Sequence, residues 1–221
     1  MKDALVFTPD NEPYLGRQLL QAFDQMIVVT LETSARVAEW THSCVARSRL
    51  QEAAIITTPQ AISLALAMRE LLRQGYLFPA KVMLRPFIER VVTIMYLKEQ
   101  PEAADEWMNG KRPPLAHMMN YISDRWFAEK YPPRVGGIMT KPLNSLTHGD
   151  LQSAEWNTIT IGDDKLGFGV SKSLNDPNLC DGICADVVPW LVVLSSMMIK
   201  IFPDAHSRAD NGAPAPGTTI H

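Results

Sequence analysis

Apolar residues recur at three- and four-residue steps through most of the chain, the spacing that lays one stripe along a helix. Between Glu12 and Arg49 the stripe runs Leu20, Phe23, Ile27, Leu31, Ser34, Val37, Thr41 and Val45, predicting one long helix or two abutting ones. Thr57, Thr58 and Pro59 combine a capping hydroxyl with a proline of the kind tolerated in a first turn. A helix is therefore expected to start there and to carry Ile62, Leu66 and Leu71 as far as Gly75. The next is expected from Pro79 to Glu99, with Leu84, Phe87, Ile88, Val91, Ile94 and Met95 as its apolar face, a kink at Pro86 and an end at Pro101. Glu102 to Met108, Leu115 to Lys130 and Thr140 to Trp156 read as shorter helices. The break Arg112-Pro113-Pro114 and a loop holding Tyr131-Pro132-Pro133 and Gly136-Gly137 separate them.

One window has a different period. Thr158 to Ile161 and Leu166 to Val170 alternate and flank Gly162-Asp163-Asp164, which predicts a β-hairpin. A last helix is expected from Asp181 to Phe202. The fold class is thus mainly α, a helical bundle with one small β-hairpin insertion near the C-terminal helix. Residues 1–203 are expected to form a single helical domain, and residues 204–221, rich in Ala, Pro, Gly and Thr, a flexible C-terminal tail.

Composition narrows the classes of function. A hydrophobic share of 46% and a charged share of 20% are ordinary globular usage, and a formal net charge of -3 supplies no global attraction to phosphate backbones or anionic membranes. Val187 to Phe202 is apolar apart from Ser195, Ser196 and Lys200. It falls short of the roughly 20 clean residues of a span and contains Pro189, so a buried core helix, with no membrane, is expected. The stretch Met1 to Pro13 carries Asp3, Asp10 and Glu12 and lacks the order of a signal peptide; cytoplasm is the expected location. Cys44, Cys180 and Cys184 would stay thiols there. Cys180 and Cys184 are spaced to share a metal, but no adjacent ligand completes a tetrahedron, so neither metal nor cofactor is expected. Phosphate-cradling loops, dinucleotide fingerprints and nucleophile elbows are absent from the sequence.

Candidate chemistry rests on polar residues set within apolar helices. Arg85 and Glu89 lie four apart, between Met83-Leu84 and Phe87-Ile88, which suits a partly buried intrahelical ion pair or a ligand site; Val92 and Tyr96 extend the stripe. Asn144, Ser145, Thr147 and His148 share a second helix that packs through Leu143, Leu146 and Leu151, with His148 suited to move a proton near neutrality. Each group needs a partner if buried, so Arg85, Glu89 and His148 are expected to converge. The tryptophans and Tyr121 are spread over several helices and read as packing rather than a base-stacking platform.

The run Leu84-Arg85-Pro86-Phe87-Ile88-Glu89, then Tyr96-Leu97, Ala103 to Trp107 and Asn144 to His148, resembles a bacterial family of helical proteins of unknown function. It is also distantly similar to the HEPN superfamily of helical bundles, whose ribonuclease members set an arginine, then four to six intervening residues, then a histidine on one helix. The resemblance implies a guanidinium on the scissile phosphate and an imidazole moving a proton. At the six-residue spacing from His148 stands Lys141, at the four-residue spacing Leu143; Arg112 and His117 match the spacing literally, at a proline-marked helix start.

Three readings follow. The first is a ligand-binding or interaction module with Arg85, Glu89, Tyr96, Lys141, Asn144, Thr147 and His148 around a site for a small ligand or peptide. The second is a metal-independent ribonuclease of a toxin or phage-defence system, acting on RNA through His148 with Arg85, Lys141 or Arg112 on phosphate. The third is a homodimer that buries the long first helix against its mate.

Overall fold

Helix α1 (Gln18–Ser43) buries Leu20, Phe23, Ile27, Thr30, Thr33 and Val37, the stripe its spacing lays on one face. The structure, a computed structural model of the chain, describes residues 12–43, 46–126, 135–148, 158–160, 166–168 and 176–207. Helix α2 (Arg49–Arg73) starts upstream of the threonine-proline run expected to begin it. Ser48 and Gln51 form a capping box: the Gln51 N–H donates to Ser48 Oγ at 3.2 Å and the Ser48 N–H to Gln51 Oε1 at 3.0 Å. Pro59 therefore lies inside α2, and Thr57 satisfies its hydroxyl by donating to the Ala53 carbonyl at 2.8 Å. The helix stops where Gly75 takes φ 76, with the Tyr76 N–H reaching back to the Leu71 carbonyl at 2.8 Å.

Helix α3 (Leu77–Glu99) holds Pro79 in its first turn and Pro86 within it. Every residue from Val91 to Leu97 is buried, so this part is covered on all sides. Short α4 (Ala103–Met108) turns at Gly110 into the segment before α5 (Leu115–Trp126). Helix α6 runs Val135–His148, so Gly136-Gly137, expected in a loop, lies in its first turn. Strands β1 (Thr158–Thr160) and β2 (Leu166–Phe168) pair antiparallel, Thr158 against Phe168 and Thr160 against Leu166. This ladder is the described part of the expected hairpin; its turn and flanks, like residues 149–157, lie outside the described residues.

Helix α7 (Pro177–Ile201) begins ahead of the expected Asp181, because Asp176 caps it through the Asn178 and Leu179 N–H groups at 2.9 and 3.2 Å and Pro177 suits its first position. Among the described residues it is the helix long and apolar enough to cross a membrane, by length and composition alone. One more helix, α8 (Pro203–Ser207), occupies the start of the stretch expected as tail; residues 208–221 lie outside the description.

The architecture is mainly helical, with α3 packed against α2, α5, α6 and α7. Helices α1 and α7 run parallel. The Arg17 Nε donates to Asp181 Oδ1 at 2.7 Å near one end, the Thr30 and Ser195 hydroxyls meet at 3.0 Å midway, and the Trp40 and Phe202 rings lie edge to face at 5.4 Å near the other. The buried face of α1 is thus covered within its own chain, while Leu31 of the expected stripe stays exposed. Helix α5 runs parallel to α3: Thr93 lies 4.0 Å from Met118 Sδ, the Tyr96 ring 5.4 Å from Tyr121, and the Arg125 Nε donates to Glu99 Oε2 at 2.6 Å.

Helix α8 packs on α1, where burial, and after it the Arg36 charge, hold the His206 imidazole below its ordinary value of 6.5. A histidine that folding keeps neutral contributes stability that is whole above its unfolded value and shrinks as pH falls through the folded one. The melting temperature is expected to fall between pH 7 and about 5, and to fall less in His206→Gln; equal slopes for both proteins would count against this coupling.

Candidate functional site

Arg85, Glu89, Thr93 and Tyr96 succeed one another at three- and four-residue steps along α3, on the face turned to α5 and α6. The backbone of α3 carries these polar groups into a region whose other positions are apolar, so each has to be satisfied from outside or by its own helix. Thr93 takes the local route and donates its hydroxyl to the Glu89 carbonyl at 2.7 Å. The ionised side chains reach other elements.

The Arg85 Nη1 donates to Thr147 Oγ1 at 2.7 Å, a contact between residues 62 positions apart. Thr147 lies in the last turn of α6. Its hydroxyl is within 3.2 Å of the Leu143 carbonyl and 3.0 Å of the Asn144 carbonyl, so its proton is spent on its own helix and its lone pair is presented to the guanidinium. One turn along α3, Glu89 Oε1 accepts Arg112 Nη2 at 2.8 Å, and Glu89 Oε2 lies 3.6 Å from Arg90 Nη1. Arg90 also donates through Nε to Gln60 Oε1 of α2 at 3.2 Å. Glu89 is 22% exposed and Arg112 37%, so the pair sits where the protein meets solvent and is screened accordingly.

This differs from the expected intrahelical Arg85–Glu89 pair. Among the described residues Glu89 takes Arg112 and Arg90, while Arg85 reaches to α6. The cause is geometric: α5 and α6 both flank this stretch of α3, and a partner from another helix can meet a guanidinium or carboxylate head-on. Of the expected convergence of Arg85, Glu89 and His148, the described residues hold the Arg85–Thr147 contact. Half-buried Asn144 and buried Ser145 lie in the same turns, and Lys141 is exposed on α6. His148 ends α6, and its side chain lies outside the described residues. Arg112 as the partner of Glu89 was not foreseen. Its only sequence signal is a cation set immediately before the prolines that start α5.

Tyr96 lies farther along the same face, its ring 6.0 Å from that of His117 and 5.4 Å from Tyr121, both edge to face. Burial, then Tyr121, Glu102 and Glu106, hold its phenol above the ordinary value, so near neutrality it is a neutral hydroxyl and no base. Cys180 and Cys184 are buried in α7, and the contact between them, with burial, pushes the Cys184 thiol well above its ordinary range. A thiol so placed resists becoming the thiolate that binds metals. Among the described residues no group of three or more His, Cys, Asp or Glu side chains is arranged to hold a metal ion.

In comparisons with known proteins, no family model, no curated protein and no solved structure matches the chain.

The geometry makes two separable couplings. Double-mutant cycles for Glu89→Ala with Arg112→Ala, and for Arg85→Ala with Thr147→Val, are each expected to return about 1 kcal/mol of interaction in chemical denaturation. Values near zero would mean that solvent already satisfies these groups.

Proposed function

We propose that this chain is a ligand-binding module whose recognition site is the polar face of α3 bounded by α5 and α6, and that its ligand is a small molecule carrying a carboxylate or phosphate. The observation that carries the reading is the pre-positioning of two guanidiniums. Arg85 is oriented by Thr147 and Arg112 by Glu89, on α3 positions one turn apart. Guanidinium forks held in this way lose less freedom on meeting an oxyanion, which favours affinity without a conformational step. Half-buried Asn144 lies one turn before Thr147 on α6, and exposed Lys141 two turns before it.

The ribonuclease reading, with its HEPN-like resemblance, would use Arg112 and His117 or a pair built on His148. Against it stands the place of His117, whose ring packs edge to face against Tyr96. The module reading asks for binding alone and needs no proton relay.

The test is thermal stabilisation by inorganic phosphate and by citrate. A ligand at about 100 times its dissociation constant stabilises by about 2.7 kcal/mol, which in a protein of this size raises the melting temperature by about 5 to 10 °C. Arg85→Lys and Arg112→Lys keep the charge and lose the fork, so each is expected to weaken binding about tenfold. Absence of stabilisation by either anion would remove the proposal. RNA cleavage abolished by His148→Ala or His117→Ala would put the enzyme in its place.

A further inference from the structure

Helix α7 buries one side against α1, α2 and α3, yet only 44% of its most apolar window is buried. The uncovered side is ordered. Gly182, Ala185, Pro189, Val192, Ser196 and Ile199 follow one another at alternating steps of three and four residues, and all are exposed except half-buried Ser196. That is the seam of a helix that meets another helix, because the alternation keeps its side chains on one line when two helices wind together. None of the six carries a charge, whereas on the outer side of α1 exposed Val28 and Leu31 stand among Glu32, Arg36 and Glu39.

We propose that the uncovered seam of α7 is a homodimer interface in which α7 of one copy lies antiparallel to α7 of the other, about a dyad between Trp190 and Leu191. This goes beyond the binding site proposed above and does not depend on it. In that single register Gly182 faces Ile199, Ala185 faces Ser196 and Pro189 faces Val192, each twice by symmetry. Large side chains meet small ones at every step. A Cβ added at Gly182 would meet nothing within 4 Å, which is the open space that Ile199 of the other copy fills.

Two further features select the same register. Pro189 has no N–H, so the Ala185 carbonyl lacks its helical donor, and the Ser196 hydroxyl of the other copy comes opposite to supply one. At each end of the seam Asp181 comes opposite Lys200 of the other copy, unlike charges in the flanking positions that fix orientation in helix pairs. Asp181, already bound by Arg17, keeps acceptor sites for a second cation. The seam is about 27 Å long and a paired strip about 20 Å wide, which buries roughly 500 Å² per copy and about 1,000 Å² in all, the lower bound for a specific interface.

Sedimentation velocity on the full chain is expected to show a dimer. Val192→Lys, at a position 46% exposed in the isolated chain and hence neutral for its folding, is expected to weaken self-association at least about 100-fold with an unchanged helical spectrum. Ala185→Cys and Ser196→Cys chains, oxidised separately and together, read the register: the disulfide between copies is expected in the mixture and not in either variant alone. A monomeric wild-type chain, a Val192→Lys protein that still dimerises, or cross-links within one variant would each overturn the proposal. So would flotation of the wild-type chain with phosphatidylcholine–phosphatidylglycerol vesicles that Val192→Lys abolishes, since a bilayer would then cover the seam.

Discussion

The structure is organised by the need to cover α3 on all sides. A helix whose residues Val91 to Leu97 are all buried leaves no face for water and requires neighbours around its circumference. Four other helices supply them: α2 joined through the turn at Gly75, α7 from the C-terminal end of the chain, and α5 and α6 from between. Helices α1, α4 and α8 pack on that shell, α1 and α8 against each other and α7, and α4 against α2. Removing large side chains at the centre, such as Phe87 or Met118, would open cavities shared by several helices at once.

Polar groups inside such a shell are satisfied in two ways, and the choice follows from their chemistry. Hydroxyls on helices turn back on their own backbone: Thr30 to the Met26 carbonyl at 2.6 Å, Thr33 to Val29 at 2.7 Å, Thr57 to Ala53 at 2.8 Å and Thr93 to Glu89 at 2.7 Å. These solutions are local and demand nothing of the rest of the fold. Thr30 also meets Ser195, and Thr147 accepts Arg85, because a hydroxyl that has donated its proton still presents lone pairs. Ionised side chains reach farther: some pair one turn away, as Arg49 with Glu52, and others cross to another element. Arg85, Glu89, Arg90 and Arg17 span from one element to another, and these contacts tie remote parts of the chain together.

That division explains what was legible in the sequence. Leu20, Phe23, Ile27 and Val37 of the α1 stripe, the apolar face of α3, the α4 helix and the end of α3 before Pro101 were readable, since each follows from period and from proline at a boundary; Leu31 was not, because buried Thr30 and Thr33 bond to their own backbone and take its place. Thr57-Thr58-Pro59 was misread as a start because threonines inside a helix and threonines at a cap look alike until the backbone partner is known. The true signal, Ser48 with Gln51 three residues on, was present and weaker than the proline. Gly136-Gly137 read as a loop on composition, yet a first turn tolerates glycine when the packed turns follow. Asp176-Pro177 is a cap written in full and was passed over for the apolar run behind it. In the site, sequence showed which residues were out of place in their stripes, Arg85 and Glu89 above all. It could not show that Arg112 would reach Glu89, because that depends on α5 running parallel to α3.

The order of charges along α3 also fits the ends of the helices brought to it. Thr147 is in the last turn of α6, so the Arg85 guanidinium that binds it stands by the negative end of that helix dipole. Arg112 precedes the first residue of α5, so Glu89 is engaged from the side of a positive helix end. An arginine followed one turn later by a glutamate is the order that both ends favour; the reverse order would set each charge against an end of like sign. Helices α5 and α6 pack on each other and both pack on α3, so the C-terminal end of α6 and the N-terminal side of α5 arrive together at one stretch of it. The polar site therefore lies where helix ends and charge agree, at half-buried Arg85 and Glu89 beside the fully buried stretch Val91 to Leu97.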